Sequence, residues 1–343
     1  MIPHKARRIT IAPAGEDIIM RTRLQILAAI LLATPILGSP TQAQDTKLTV
    51  MVFQGIQNAP LHVARQNGYF AKRGLTIDLR IAPNSDELRE GLAAGRYQIV
   101  HSGVDNAIAL VEVAKEDAVV VMGGDSGVNR IIVQPDIKTY ADLRGRTVIV
   151  DAATTAFSFL LYKTLEVNGL KRGDYEVKPF GASFRRRDEM IKNKEYAAAV
   201  LNPPFSIQAE RAGLRDMGSA TKAVGAYQST AGYVMRAWGK SNSDTLVRYI
   251  QAYIEGLRWV LAPANKDGVI ALLAKEMKLP ADIVAAGFAI YSDPSDGLVP
   301  DARLSMDGFR NMLKLRAEIT GSAPGAPEKY IDLGYYQQAL KGL

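Results

Sequence analysis

From residue 48 onward, short runs of apolar and β-branched residues alternate with helix-patterned segments. The alternation runs through two rounds before the chain becomes mostly helical. The first round reads as strand 48–53, helix 61–73, strand 76–81, a helix ending near Gly95, strand 97–102, helix 105–114, and strands 118–122 and 130–134. Its punctuation is explicit. Pro60 sits where a first helical residue tolerates proline, Gly74 stops the helix, and Asn84 with Glu87 three residues on is a capping-box-like start. The second round reads as strand 147–150, helix 156–168, strand 175–179, helix 185–193, strand 197–201 and helix 204–212. A strand at 231–238 and helices at 244–261, 267–276, 280–290, 301–320 and 330–341 follow. Strands separated by helices imply parallel sheets with helices on both faces. A weak repeat supports two rounds: Gly95–Val100 leads through His101-Ser102-Gly103 into a helix, and Lys194–Val200 leads through Leu201-Asn202-Pro203 into another. The expectation is an α/β chain of two similar lobes, 46–134 with 231–343 and 135–230, facing each other across one cleft.

The segment ahead of this pattern is an address. Arg21 and Arg23 precede an apolar run over 24–37, and Ser39-Pro40-Thr41-Gln42-Ala43 follows. A basic start, a short apolar stretch and a small-residue site make an export signal cut after Ala43, with Met20 as the natural start. The run contains Pro35 and falls short of the roughly 20 apolar residues that span a bilayer. The expected product is soluble, exported and, in a cell with an outer membrane, periplasmic.

Composition narrows the chemistry. The 343 residues include no cysteine and three histidines, His4, His62 and His101. Disulfides, thiolate metal sites, cysteine nucleophiles and a lipidated N-terminal cysteine are excluded, and neither a metal nor a cofactor is expected. Cutting after Ala43 leaves 37 basic against 33 acidic residues. That modest excess does not point to nucleic acid. Arg185-Arg186-Arg187, followed by Asp188 and Glu189, reads as a solvated helix face. Gly124-Asp125-Ser126-Gly127 is similar to the loop around a chymotrypsin-like serine, and His62, Asp105 and Ser126 occur in that chain order. Such proteases are all-β, whereas His62 lies inside a predicted helix. No Gly-x-Gly pair exists, so the dinucleotide fingerprint is missing.

Four segments in order carry a resemblance: Ala59-Pro60-Leu61-His62-Val63-Ala64 with Gly68-Tyr69-Phe70 and Gly74-Leu75; Leu92-Ala93-Ala94-Gly95 through Ile99; Asp142-Leu143-Arg144-Gly145-Arg146-Thr147-Val148; and Tyr196 through Pro203-Pro204-Phe205. Over about 47–238 the chain resembles the periplasmic solute-binding proteins of ABC transporters, in the nitrate/sulfonate/taurine and NMT1/THI5-like pyrimidine-precursor group. The resemblance implies a type II periplasmic binding protein fold, a small-molecule ligand held by lobe closure, a monomer, and delivery to a membrane permease with its ATPase. It also leaves open an adaptor that serves a sensor, and a pyrimidine synthase of the related eukaryotic branch. That synthase is similar to enzymes with a cysteine-rich iron site, which this chain lacks.

Loops at strand ends are the expected pocket, because ligands of open α/β sheets sit beyond the carboxyl ends of strands and helix N-termini offer free N–H groups. Four loops qualify: 54–58, 102–106, 151–155 and 202–205. Gln54, Gln57, Asn58 and Asn106 supply amides, and His101, Ser102, Thr154 and Thr155 further polar groups. Phe53, Phe157 and Phe205 can enclose an apolar ligand body. Asp105, Asp125, Asp151 and Asn202 complete the set. Ser102, Asp105, Thr155 and Asn202 also stand where residues merely cap helices, and Phe53 and Phe157 equally suit a core. The carboxylates Asp125 and Asp151 would favour an amine or a ring N–H and would repel a bare oxyanion unless an arginine such as Arg130 neutralised them. The second-lobe loop Asp151-Ala152-Ala153-Thr154-Thr155 has no glycine, unlike the Gly/Ser-rich loops of oxyanion-binding relatives.

Overall fold

The computed structural model describes residues 46–323 and 325–343, and the expected export signal lies outside them. The chain runs β1 (Thr46–Val52), α1 (Ala59–Gln66), β2 (Leu75–Ile81), α2 (Ser85–Ala93), β3 (Ile99–Gly103), α3 (Asp105–Glu112), β4 (Ala118–Gly123) and β5 (Arg130–Val133). It continues with β6 (Thr147–Val150), α4 (Ala156–Val167), β7 (Glu176–Pro179), α5 (Ser183–Lys192), β8 (Tyr196–Leu201), α6 (Phe205–Arg211), β9 (Arg215–Ser219) and β10 (Thr230–Met235). Helices α7 (Arg236–Ser241), α8 (Ser243–Leu261), α9 (Lys266–Met277), α10 (Ala281–Tyr291), α11 (Met306–Thr320) and α12 (Gly334–Lys341) complete it.

Two five-stranded mixed sheets result, in the orders β2-β1-β3-β10-β4 and β7-β6-β8-β5-β9. They share one plan. β1 pairs parallel with β2 and β3, as β6 does with β7 and β8. Each sheet then takes one antiparallel strand delivered from the other side: β10 beside β3 and β4, and β5 beside β8 and β9. The chain therefore passes between the sheets twice, over 124–129 and 220–229.

This exchange corrects the expected boundary. Strand β5, assigned above to the first lobe, belongs to the second sheet, where Ile131 sits opposite Val200 and Ile132 opposite Ala199. Sequence periodicity reports that a strand is buried, and β5 is buried in either sheet; only pairing decides which. Strand β9 was not foreseen, because Arg215-Asp216-Met217-Gly218-Ser219 carries no apolar alternation. Helix α11 also departs from a purely first-lobe role. Arg316 reaches Asp105 at the start of α3 at 2.7 Å and lies over the Phe159 ring of α4, while Glu318 pairs with Lys163 of α4 at 3.1 Å. The helix thus braces elements of both sheets.

β4, at the end of its sheet, is buried throughout, as are five of the six residues of β8 at the centre of the other. Alanines 197–199 of β8 keep its faces flat, which lets α4 and α5 pack closely against them. Among the described residues no helix is long and apolar enough to cross a membrane.

Candidate functional site

The carboxyl ends of β1, β3, β6 and β8 converge on a narrow cavity of about 50 Å³. Residues from both sheets line it. Direct bonds hold the two sides together around it: the Ser85 hydroxyl donates to Asp151 Oδ2 at 2.9 Å, the Ala182 N–H donates to the Pro83 carbonyl at 3.3 Å, and Arg211 pairs with Asp282 at 2.6 Å. The two halves are closed on each other.

Twelve of the fifteen expected residues face this space: Phe53, Gln54, Gln57, Asn58, His101, Ser102, Asn106, Asp125, Asp151, Thr155, Phe157 and Asn202. The loop after β1 is internally braced, since the Asn58 and Gln57 side-chain amides both donate to the Phe53 carbonyl, at 2.7 and 3.2 Å. Gln57 Oε1 accepts from the Tyr291 hydroxyl at 3.2 Å. The Gln54 amide makes no side-chain hydrogen bond among the described residues, so it is the free polar group of that loop. His101 stacks on Tyr253 with centroids 4.8 Å apart, and its Nε2 shares a 2.8 Å hydrogen bond with the Tyr249 hydroxyl. Burial pushes its pKa down to about 3, so the ring is neutral. Ser102 shares a 2.7 Å bond with the Tyr233 hydroxyl, and Asn106 Oδ1 accepts from Arg89 at 2.7 Å.

Three expected residues lie elsewhere. Asp105 is 1% exposed, but its carboxylate turns away from the cavity to the Arg316 guanidinium. Thr154 points to solvent on the outer part of its loop. Phe205 is buried one layer back, behind Phe184 with ring centroids 6.4 Å apart. All three have the residue type and spacing of a lining group, but spacing alone does not decide which way a loop side chain turns. Thr155 does both jobs considered above. Its backbone N–H donates to Ser158 Oγ at 2.9 Å in a capping box, while its hydroxyl donates to Asp151.

The arginine run does not form the single solvated face expected of it. Arg186 is 0% exposed and lines the cavity. Its guanidinium donates to the Gly181 carbonyl, to Ser183 Oγ at 3.0 Å and to the Val200 carbonyl at 2.9 Å, and lies over the Phe157 ring at 5.3 Å. Its Nε–H finds no acceptor. Burial lowers its pKa to about 10, with the Asp151 charge acting the other way. Only Arg185 is exposed as expected; Arg187 is half-buried, pairing with Asp188 at 2.6 Å and lying over the Phe205 ring at 5.4 Å. Three adjacent arginines on a helix point about 100° apart, so a face seen in the run cannot belong to all of them. Arg130, suggested as the neutralising partner, instead pairs with Asp216 at 2.7 Å. Ser85, Asn129, Ser183, Phe184, Tyr253 and Tyr291 also line the space and were not foreseen. The tyrosines come from α8 and α10, in the helical tail, where no strand-end signal existed.

Asp125 follows β4. It is 2% exposed, and its oxygens accept from the Gly127 N–H at 3.0 Å and from the Thr230 hydroxyl. Burial raises its pKa to about 6, against those hydrogen bonds. Asp125 thus lies beside Ser126 in sequence, but the other residues of the serine-hydrolase alternative are held apart. His62 Nδ1 lies 3.3 Å from Glu276 in a different groove, and Asp105 is committed to Arg316.

Two sheets of one plan, joined by two crossovers and closed over a cavity at their strand ends, define a two-lobed binding-protein fold of the periplasmic type. The same architecture is seen in a Candida albicans protein described as having the generic periplasmic binding protein fold: TM-score 0.69, 13% identity, covering 84% of this chain and 96% of that one. It is seen again in the nitrate-binding protein NrtA of Synechocystis PCC 6803: TM-score 0.72, 13% identity, 87% of this chain and 89% of that one. Residues 41–274 match the NMT1-like family, and the chain belongs to it. A Brachyspira hyodysenteriae protein named among the periplasmic binding proteins of ABC transporters is 26% identical over 247 residues, which is 66% of this chain and 69% of that one.

Proposed function

We propose that this chain is the exported receptor of an ABC importer. It captures a small organic molecule between its lobes, closes on it, and presents it to a membrane permease coupled to an ATPase. The observation that carries the reading is the cavity itself: an enclosed space at the strand ends of two separate sheets, bridged by Ser85 and Asp151. Such a space captures cargo by hinge closure, with water excluded and several hydrogen bonds formed at once. Five aromatic residues, Phe53, Phe157, Phe184, Tyr253 and Tyr291, offer walls for an apolar body. The ABC-transporter relative and the signal-like segment over 21–43 support the cellular role. In this reading 46–129 with 230–323 and 325–343 form one lobe and 130–219 the other, and the lining residues named above are the ligand contacts. Release of an unaltered cargo, rather than turnover, is the function.

The test is native mass spectrometry of the purified protein for a retained small molecule, followed by calorimetry with that molecule. Gln54→Ala should weaken its binding by about 1–3 kcal/mol, the cost of leaving a buried polar partner unpaired. Deleting the gene should abolish uptake of the same compound by cells. A compound that leaves the protein chemically changed, or an unaltered Kd in the variant, would sink the assignment.

A further inference from the structure

Two charged side chains reach the cavity with no counter-ion beside either. Among the described residues, neither Asp125 nor Arg186 has an oppositely charged group within 4.0 Å. Asp125 accepts from the Gly127 N–H and the Thr230 hydroxyl, and the Ser229 hydroxyl also acts on it, which leaves part of its acceptor capacity open. Arg186 spends three of its N–H groups inside the protein, and its remaining Nε–H is sealed from solvent. A buried charge without a partner is costly, so a ligand that pairs with Asp125 recovers that cost.

The charges are not symmetric. Asp151 lies near enough to Arg186 to act on it electrostatically, although both Asp151 oxygens are occupied by the hydroxyls of Ser85 and Thr155. Those two charges offset each other. His101 is neutral. Asp125 is left over, and the cavity carries a net −1. The surroundings of Asp125 suit a cation further. Tyr253 and Tyr291 both line the cavity and both feel the Asp125 charge. A carboxylate accompanied by aromatic faces in an enclosed space attracts ammonium groups, whereas a bare oxyanion would add a second negative charge.

We propose, resting on the receptor reading above, that the cargo is a small organic cation whose protonated nitrogen sits against Asp125.

The test uses the whole protein, freed of retained ligand by denaturation and refolding, in calorimetry at neutral pH with three probes: benzylamine, neutral benzyl alcohol and benzenesulfonate. Benzylamine should bind at least about tenfold more tightly than benzyl alcohol, and benzenesulfonate should not bind. Asp125→Asn should erase the preference for the amine. The wild-type probe order tests the charge assignment even if a variant fails to fold. Benzenesulfonate binding above the amine, amine binding unmoved by Asp125→Asn, or no binding of any probe at millimolar concentration overturns the cation assignment. A retained molecule in native mass spectrometry, in any of those cases, leaves the receptor reading standing; its absence as well would take both down.

Discussion

The buried carboxylate of Asp125 makes stability depend on pH in a predictable direction. Replacing it with asparagine keeps the shape and an acceptor oxygen but removes the charge. Asp125 is 2% exposed, and no cation stands within 4.0 Å of it among the described residues. The groups facing it are the Thr230 and Ser229 hydroxyls, the Gly127 N–H and the rings of Tyr253 and Tyr291. Its pKa rises from 3.8 to about 6 on folding. Each tenfold change in proton affinity corresponds to roughly 1.4 kcal/mol, so the charged form costs the empty fold about 3 kcal/mol. The sign follows from which state holds the proton. Well below the unfolded value of 3.8 both states are protonated and nothing is lost. As pH rises toward 6 the unfolded chain releases its proton while the fold retains it, and stability falls. Above that window the loss is complete. The substituted asparagine has no proton to release. In the ligand-free protein the advantage of Asp125→Asn over wild type should therefore grow by about 2 kcal/mol between pH 4 and pH 7.5. Urea midpoints across that range, followed by tryptophan fluorescence, measure it. A variant less stable than wild type at pH 7.5, or a difference flat with pH, would refute the claim that Asp125 is an uncompensated buried charge.

Other sites give independent readings. Arg316→Ala strands the Asp105 carboxylate, 1% exposed and paired at 2.7 Å, so it should lower stability by about 3–5 kcal/mol in urea unfolding. Gly256 is where α8 meets α1, and a Cβ there would sit 2.4 Å from the Pro60 carbonyl oxygen. Gly256→Ala should therefore cost about 1–3 kcal/mol of stability, read as a drop in urea midpoint, although alanine is the better helix former. Ser85→Ala removes a hydroxyl that bridges the two halves at 2.9 Å. It should weaken ligand affinity about 2- to 10-fold and raise the open population seen by small-angle scattering, since one such bond is worth about 0.5–1.5 kcal/mol.

Sequence alone determined most of the elements, because those are local physics. Apolar periodicity marked nearly all the strands and helices, and Asn84 caps its helix as expected, its Oδ1 accepting the Glu87 N–H at 2.8 Å. Some ends differ: α1 stops at Gln66, so Gly74, left-handed at φ 63°, closes only the short turn 71–73, and the strand expected over 231–238 gives way to α7 at Arg236. Strand-end logic also found the loops that line the cavity. Tertiary structure decided the rest. The sheet that β5 joins depends on partners some seventy to ninety residues away, which no window of periodicity contains. Whether an ionisable side chain faces cargo, core or solvent depends on what closes over it. Arg185 and Arg186 are neighbours of identical chemistry, yet one is exposed and the other is sealed into the cavity wall, because one helical step of rotation separates them. Asp105 and Asp125 divided the same way, the first paired with an arginine from α11 and the second on the cavity wall with no cation within 4.0 Å among the described residues. Burial and pairing are properties of the assembled molecule, and they decide where charge is left unspent.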